Sequence, residues 1–475
     1  MYWAKIIGLR EIKCIFVCKP NCYMLEHLKS FYASGATRTV AFRRKALADL
    51  AGVVEQYKDR IAAALYKDLG KSARESYLTE IALVLGEIRY QQRHLKRWSR
   101  PRRVAGPLAL FPSRSRMVRE PYGVVLVVAP WNYPFQLLMM PLVGAIAAGN
   151  CVVAKPAETT PTVAALLEEM LGSCFPQTYV RVLRTGHEGL EQVLEQGPDY
   201  LFFTGSPQTG SRLMELAARN WVPVTLELGG KSPCVVTAQA DLRIAARRIL
   251  WGKMLNAGQT CVAPDHVWVE DSVRDAFVEA CRQEMVVLSG NLQGDFGKSS
   301  HYARIVTVRH WQRLVGLLEG AQVLAGGGFR EEDRFFAPTL VQVSRHHPLM
   351  QEEIFGPILP IMGYHDDEQL IAQFNSKPVP LALYYFGNKR QGREFLARVP
   401  SGGACINDAV LHLVNRNLPF GGQGKSGMGA YHGRYSVETF SRLRSVLESP
   451  TWMDLKVKYP PYRIVATVFR KYLGL

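Results

Sequence analysis

Between Tyr122 and Glu227 the chain alternates short apolar runs with longer stretches whose apolar positions recur at helical spacing. Val124 to Val128, Val152 to Ala154, Val180 to Leu183, Leu201 to Phe203 and Val222 to Leu226 read as buried strands. The segments Gln136 to Ala148, Pro161 to Leu171 and Pro207 to Arg219 have the length and periodicity of crossover helices. Strand and helix in alternation predict an α/β fold, with a parallel sheet covered on both faces that binds nucleotides at its strand ends. Upstream, Leu47, Leu50, Val54, Tyr57, Ile61 and Leu65, then Ile81, Val84, Leu85 and Ile88, predict a helical opening from Val40 to Trp98. The basic, Pro-containing stretch Ser99 to Arg119 breaks that period and predicts an exposed extended arm, suited to pairing with a partner subunit. After Gly229-Gly230 a second alternating region carries Cys261, Glu352-Glu353 and the Gly-rich segment Pro419 to Gly429.

At 475 residues the chain is long enough for two or three domains. No apolar run approaches the roughly 18 to 20 residues of a membrane span. Nine cysteines, an odd number scattered without a disulfide-like framework, point to a reducing compartment, and a cytoplasmic location is expected. The net charge of +17 can attract phosphates, anionic lipid or nucleic acid. No nucleic-acid motif accompanies it, so most of the charge reads as a solvated face and no nucleic-acid partner is assigned. The final run, Ile464 to Leu475, is apolar and basic but too short to span, leaving peripheral membrane contact as its membrane role. Residues 1–25 fit poorly with the patterned body of the chain and read as an atypical extension, with Met24 an alternative initiator. Cys14, Cys18 and Cys22 recur every four residues there, but no companion ligand set exists and no metal is assigned.

The candidate chemistry sits at joints between elements. Cys261, in Asn256-Ala257-Gly258-Gln259-Thr260-Cys261, follows a helical run (Leu242 to Leu255) and precedes Val267-Trp268-Val269, which puts a thiol on a loop where it can be reached. A small buried hydrophobe is the plainer reading of a lone Cys. Phe203-Thr204-Gly205-Ser206-Pro207-Gln208-Thr209-Gly210 follows a strand and opens a helix. Ser206 is suited to cap that helix and Pro207 to its first position. The free N–H groups and helix dipole there can meet a pyrophosphate, with Gly205 allowing close approach. The same spacing fits an ordinary strand-turn-helix joint, and it is not the G-x-G-x-x-G fingerprint.

Lys155 and Glu158 follow a strand at the sheet end where riboses sit, and can equally form a surface salt bridge. Asn132, between Pro130 and Pro134, is an amide on a braced turn, suited to an oxyanion hole or to a plain turn. Glu227 is expected to end its strand. Burial there would raise its pKa toward a general base, unless the Gly229-Gly230 turn holds it with N–H groups.

Five stretches carry a resemblance: Leu226 to Ser232 (LELGGKS), Gly258 to Cys261 (GQTC), Glu353 to Pro357 (EIFGP), Pro130 to Phe135 (PWNYPF) and Pro419 to Gly422 (PFGG). Together they resemble the signature motifs of the aldehyde dehydrogenase superfamily, in order, across roughly residues 30 to 450. Cys261 to Asp265 and Ser426 to Gly433 are most similar to the class 3 branch, whose members oxidise aromatic and medium or long aliphatic aldehydes.

The resemblance implies that Cys261 attacks the aldehyde, that Asn132 and the Cys261 N–H hold the oxyanion, and that Glu227 activates the hydrolytic water. It further implies NAD or NADP bound by Lys155, Glu158, Gly205, Ser206, Gly210, Glu353 and Phe355, with Pro207, Gln208 and Thr209 completing the loop. Pro207 stands where members usually carry Thr. Glu158 aimed at the ribose would repel a 2′-phosphate and favour NAD. A homodimer whose arm strands extend the neighbour's sheet is implied by analogy.

The expected organisation is a Rossmann-like cofactor domain of residues 26–98 and 120–227, an α/β catalytic domain of 228–415, and a small β arm and tail of 99–119 and 416–475. Two other functions compete: an acylating dehydrogenase that passes the thioester to coenzyme A, and a non-catalytic aldehyde-binding or structural protein. Glu227 speaks against the first, and the joint presence of Cys261, Glu227 and Asn132 against the second.

Overall fold

The central strand Val124–Val128 is five apolar residues long and buried along its whole length, as a strand with parallel neighbours on both sides must be. In the computed structural model, which describes residues 24–454 and 459–460, it lies in a six-stranded sheet. The spatial order is Gly427–Met428, Val224–Leu228, Tyr200–Gly205, Val124–Val128, Cys151–Lys155, Val180–Val182, with only the first pair antiparallel. The chain runs outward from the central strand on one side, then returns to its other side. This places a topological switch point between Val124–Val128 and Tyr200–Gly205, where such sheets open a ligand crevice.

Helices Gln136–Ala148 and Pro207–Arg219 have the predicted bounds, and the third crossover helix runs Pro161–Cys174. Gln136–Ala148 is buried on every side, between the sheet and helices Val40–Leu69 and Ala82–Trp98, which is why its sequence shows no polar face.

The last parallel strand corrects the expectation of Val222 to Leu226, since it spans Val224–Leu228. Trp221 takes a left-handed φ of 57°, and Pro223 follows without an N–H to pair, so the ladder starts later. Glu227 therefore lies inside the strand, opposite Thr204 on one side and Gly427 on the other.

Past Leu228 the chain crosses into a seven-stranded sheet ordered Gln322–Ala325, Thr339–Gln342, Ile358–Tyr364, His266–Glu270, Pro233–Val236, Ala382–Phe386, Gly403–Ile406. All neighbours are parallel except the first pair. The Cys261 loop thus leads into the amino end of strand His266–Glu270, while Ser206 and Glu227 stand at the carboxyl end of the six-stranded sheet. One cleft collects both ends.

The helical opening runs from Val40 to Trp98 as expected but is less regular than its periodicity suggests. Helix Val40–Leu69 is capped by Thr39, which accepts from the Phe42 N–H, and stops at Gly70 in a left-handed conformation. A short helix Ala73–Ser76 and a π-helical turn Tyr77–Ile81 precede helix Ala82–Trp98. The wider π turn puts Glu80 fully inside the protein.

Helix Met24–Ala33 buries Met24 and Leu25 in the core, so the folded body begins before the expected boundary at residue 26. Cys14, Cys18 and Cys22 lie outside the described residues, as does Ile464 to Leu475 at the other end. The arm forms a three-stranded antiparallel sheet of Arg102–Val104, Arg114–Pro121 and Ser441–Glu448. Of the residues assigned to the arm from 416 onward, Gly427–Met428 instead pairs with Val224–Leu228, and helix Arg434–Thr439 packs on Gln136–Ala148. Gly427 permits this because a Cβ there would lie 2.3 Å from the Leu226 carbonyl oxygen. Among the described residues no helix is long and apolar enough to cross a membrane.

Candidate active site

A cavity of about 620 Å³ lies between the two large sheets and is lined by Asn132, Gly205, Ser206, Pro207, Gln208, Glu227, Cys261, Glu353 and Phe355. Nine of the thirteen residues singled out from the sequence therefore share one space. Thr209 and Gly210 stand just behind it. Ser206 caps helix Pro207–Arg219 by accepting from the Thr209 N–H, which leaves the first turn's remaining donors directed to the cleft. At Gly210 a Cβ would fall 2.7 Å from Leu228 Cδ2, and at Gly205 2.5 Å from Phe203 Cζ, so both glycines serve close packing beneath the loop. Lys155 and Glu158 pair with each other, Nζ to Oε1 at 2.8 Å, and Glu158 lines a separate shallow hollow with Arg184 and Thr185.

The Cys261 loop is built from backbone that few residues adopt. After helix Leu242–Met254, Asn256 (φ 52°), Ala257 (φ 52°) and Gly258 (φ 77°) are all left-handed. A Cβ at Gly258 would sit 2.3 Å from the Gly356 carbonyl oxygen, so the loop lies directly on the Glu353 to Pro357 segment. Gln259 fastens it below, donating to the carbonyls of Asn256 (2.9 Å) and Arg304 (3.0 Å) and accepting from the Val306 N–H (3.0 Å). Thr260 shares a 2.7 Å hydrogen bond with the Tyr133 hydroxyl, and Tyr384 donates to the Val262 carbonyl at 2.6 Å. Cys261 emerges from this scaffold only partly exposed. Burial pushes its thiol up to about 12, the negative charges of Glu353 and Glu227 add to the rise, and the N–H groups of Cys261 and Val262 oppose it.

Asn132 is buried, with its amide donating to the Gln259 carbonyl at 3.0 Å and its own carbonyl accepting from Asn256 Nδ2 at 2.6 Å. One amide hydrogen remains for a ligand. Trp131 beside it meets Phe355 and His310 edge-on, at ring distances of 5.3 and 5.0 Å.

Glu227 is 2 % exposed, and neither of its carboxyl oxygens has a hydrogen-bond partner. Burial alone raises its pKa well above the usual carboxylate range. The Gly229-Gly230 turn serves Glu353 instead. Gly230 donates its N–H to that carboxylate, and a Cβ at Gly229 would lie 2.0 Å from Glu353 Oε2. Burial and then the Asp265 charge lift Glu353 to about 8, against that N–H and the charges of Lys231 and Lys253.

Sequence reasoning gave no part to Lys231 and Asp265, which tie this wall together. Lys231 is salt-bridged to Asp265 and donates to the carbonyls of Leu349 (2.7 Å) and Glu352 (2.8 Å), while Asp265 accepts from the Ile354 N–H at 3.0 Å. Both residues fall within the quoted motifs, so the motif strings held that signal. Lys71, which reaches the Asn132 carbonyl, its partner Glu80, and Glu75, which takes the Asn256 N–H, had none.

A family model described as "Aldehyde dehydrogenase family" matches residues 29–446. The 4,4′-diaponeurosporen-aldehyde dehydrogenase of Staphylococcus aureus is 42% identical over 440 residues, covering 92% of this chain and 95% of that protein. Human aldehyde dehydrogenase family 3 member B1 is 42% identical over 441 residues, covering 92% of this chain and 94% of its own. A substrate-bound structure of Staphylococcus aureus AldH superposes with a TM-score of 0.91 at 41% identity, covering 95% of this chain and 98% of that one.

Proposed function

The chain belongs to the aldehyde dehydrogenase family, and from that premise we propose that its cleft oxidises aromatic and medium or long aliphatic aldehydes to free carboxylic acids through a thioester on Cys261. Aldehyde oxidation with NAD or NADP is the activity of the family. The observation that carries the hydrolytic reading is Glu227: a buried carboxyl with both oxygens unpartnered, in the same cavity as the thiol and the Asn132 amide. An unsatisfied buried carboxyl is costly in a merely structural role, and a water bound for activation would satisfy it. The apolar walls offered by Trp131, Leu137, Phe355, Phe374 and Phe420 support the substrate class.

The residues fit a dinucleotide. Ser206 and Pro207 open a capped helix onto the cleft, the Thr204 hydroxyl there is buried without a partner, and Glu353 and Phe355 line the same cavity as Cys261. When bound, NAD(P)+ supplies the hydride acceptor. In attack, the thiol gives its proton to solvent as the S–C bond forms, and the new oxyanion takes the free Asn132 N–H together with the Cys261 backbone N–H. Glu227 in its neutral form removes one of the charges that oppose the thiolate. Once hydride has left the carbon, the thioester carbonyl is held by the same donors. Glu227, having given its own proton to solvent, then takes one from water as the oxygen adds, the C–S bond breaks, and the acid departs as that proton returns to the sulfur.

Lys155 and Glu158 are proposed to bind the adenine-side ribose. Because Lys155 already neutralises Glu158, the carboxylate discriminates weakly against a 2′-phosphate. The arm sheet has Arg102–Val104 and Ser441–Glu448 as unpaired edges, which supports a homodimer. A cytoplasmic setting is consistent with six unpaired cysteines among the described residues. Peripheral membrane contact is proposed for the apolar and basic run Ile464 to Leu475 from its sequence.

The test is formation of reduced cofactor from benzaldehyde, hexanal and a long-chain aldehyde, with each dinucleotide, with and without coenzyme A. Turnover without coenzyme A is expected. Turnover only in its presence would replace hydrolysis by acyl transfer, and none with any aldehyde would leave a binding protein.

A further inference from the structure

Behind the Asn132 turn lies a cluster of buried charges that takes no part in the attack, hydride or hydrolysis steps. Lys71 and Glu80 are both fully buried and paired, Nζ to Oε1 at 2.5 Å. The second Glu80 oxygen accepts the N–H groups of Phe135 (3.0 Å) and Gln136 (3.1 Å), at the start of a helix that has no cap of its own. Lys71 Nζ also faces the Asn132 carbonyl at 3.4 Å and lies 4.2 Å from the centre of the Tyr133 ring. From the opposite side Asn256 Nδ2 reaches that same carbonyl, and the Asn256 N–H donates to Glu75 Oε1 at 2.7 Å.

Three side chains from residues 71–80 thus bracket the Asn132 turn: Lys71 on its carbonyl, Glu80 on the N–H groups just after it, and Glu75 on the left-handed start of the Cys261 loop. Burying an ion pair is weak support for stability, because desolvation offsets the attraction, whereas fixing a single arrangement is a use such pairs can have. Here the arrangement fixed is the Asn132 backbone. With its side-chain amide tied to the Gln259 carbonyl and its own carbonyl clamped from two sides, the remaining amide hydrogen has one direction open to it.

We propose that Lys71, Glu80 and Glu75 are positioning residues for transition-state stabilisation: a buried bracket that sets the Asn132 donor relative to Cys261. This rests on the oxyanion role of Asn132. The π-helical turn belongs to the same device, since it carries Glu80 inward under the Asn132 turn.

The full-length enzyme is tested as Lys71→Met, Lys71→Arg and the charge-neutral pair Lys71→Met/Glu80→Gln, each with and without Asn132→Ala. The readouts are the single-turnover burst of reduced cofactor with benzaldehyde, cofactor affinity from tryptophan fluorescence, and the thermal midpoint. Lys71→Met and the neutral pair should slow the burst by about 10- to 100-fold, the scale of a misplaced catalytic group, with cofactor affinity within about twofold. Lys71→Arg should recover part of the rate. In the Asn132→Ala background the same changes should add almost nothing, because the donor they position is gone.

Equal losses in both backgrounds, or an unchanged burst in a folded Lys71→Met enzyme, would overturn the proposal while leaving the oxyanion role intact. An unchanged burst in Asn132→Ala alone would remove both. If the Lys71 variants do not fold, Glu75→Gln, at a half-buried position, is held to the same criterion: a slower burst that vanishes as a difference once Asn132 is alanine.

Discussion

Replacing Glu227 by Gln should separate the two halves of the proposed reaction, because its charge opposes the thiolate but is needed for the proposed activation of water. The substitution keeps size and shape and breaks no hydrogen bond, since neither carboxyl oxygen has one. In the first half, Glu227 is one of the two carboxylates whose charge raises the Cys261 thiol, so its removal leaves the thiolate no less accessible. Hydride transfer in the first turnover should therefore proceed at the wild-type rate or slightly faster.

In the second half the variant lacks a base for water. Positioned general bases contribute about 10²- to 10⁴-fold, so deacylation should slow by that factor, or about 3 to 5 kcal/mol in barrier. Stopped-flow absorbance of the reduced cofactor should show a burst near one equivalent per active site, then a steady state at least about 100-fold slower than wild type.

Stability supplies a second check. Burial raises the Glu227 pKa, so the folded state binds more protons than the unfolded chain from near pH 4.3 upward. Stability is accordingly lost as pH climbs through that window, and Gln abolishes the loss. The variant should melt no lower than wild type at pH 8, with any gain fading at pH 4. A Glu227→Gln enzyme with steady-state turnover within about twofold of wild type would refute the base assignment, and loss of the burst itself would refute the separation of roles.

Cys261→Ala should bind cofactor yet oxidise no aldehyde, and an undiminished rate would end the mechanism. With the thiol raised to about 12, alkylation of the free enzyme by iodoacetamide should climb about tenfold per pH unit from 7 to 9, because only the thiolate reacts. A plateau near neutrality, read by mass spectrometry, would contradict the burial assigned to it. Gly258→Ala forces a Cβ against the Gly356 carbonyl at a left-handed position and should cost about 2 kcal/mol or more, with activity lost. A wild-type melt would show that the two loops do not pack as described. Ser206→Ala removes the cap on Thr209 and should cost about 1 kcal/mol while raising the cofactor KM more than it lowers kcat, and the reverse pattern would place Ser206 in the chemistry.

The sequence alone determined the features that depend on neighbours along the chain. Five short apolar runs separated by helix-length segments specify a parallel sheet, because burial on two faces demands continuous apolar strands. The Ser206-Pro207 cap was legible because capping acts within one turn, and the loop position of Cys261 because its flanking segments have different periods. The strand of Glu227 was placed two residues early, since the left-handed turn at Trp221 that delays it leaves no mark in hydropathy.

What only the tertiary structure decided is which groups are satisfied and which are left free. Glu353, not Glu227, takes the Gly230 N–H, although Glu227 is the nearer in sequence. Lys155 pairs with Glu158, and Lys71 with Glu80 beneath a turn some sixty residues further on. Local propensity reaches about one helical turn. Burial and hydrogen-bond satisfaction are set by whichever distant segments arrive at the same point, and a carboxyl becomes a base or a brace according to the company it meets there.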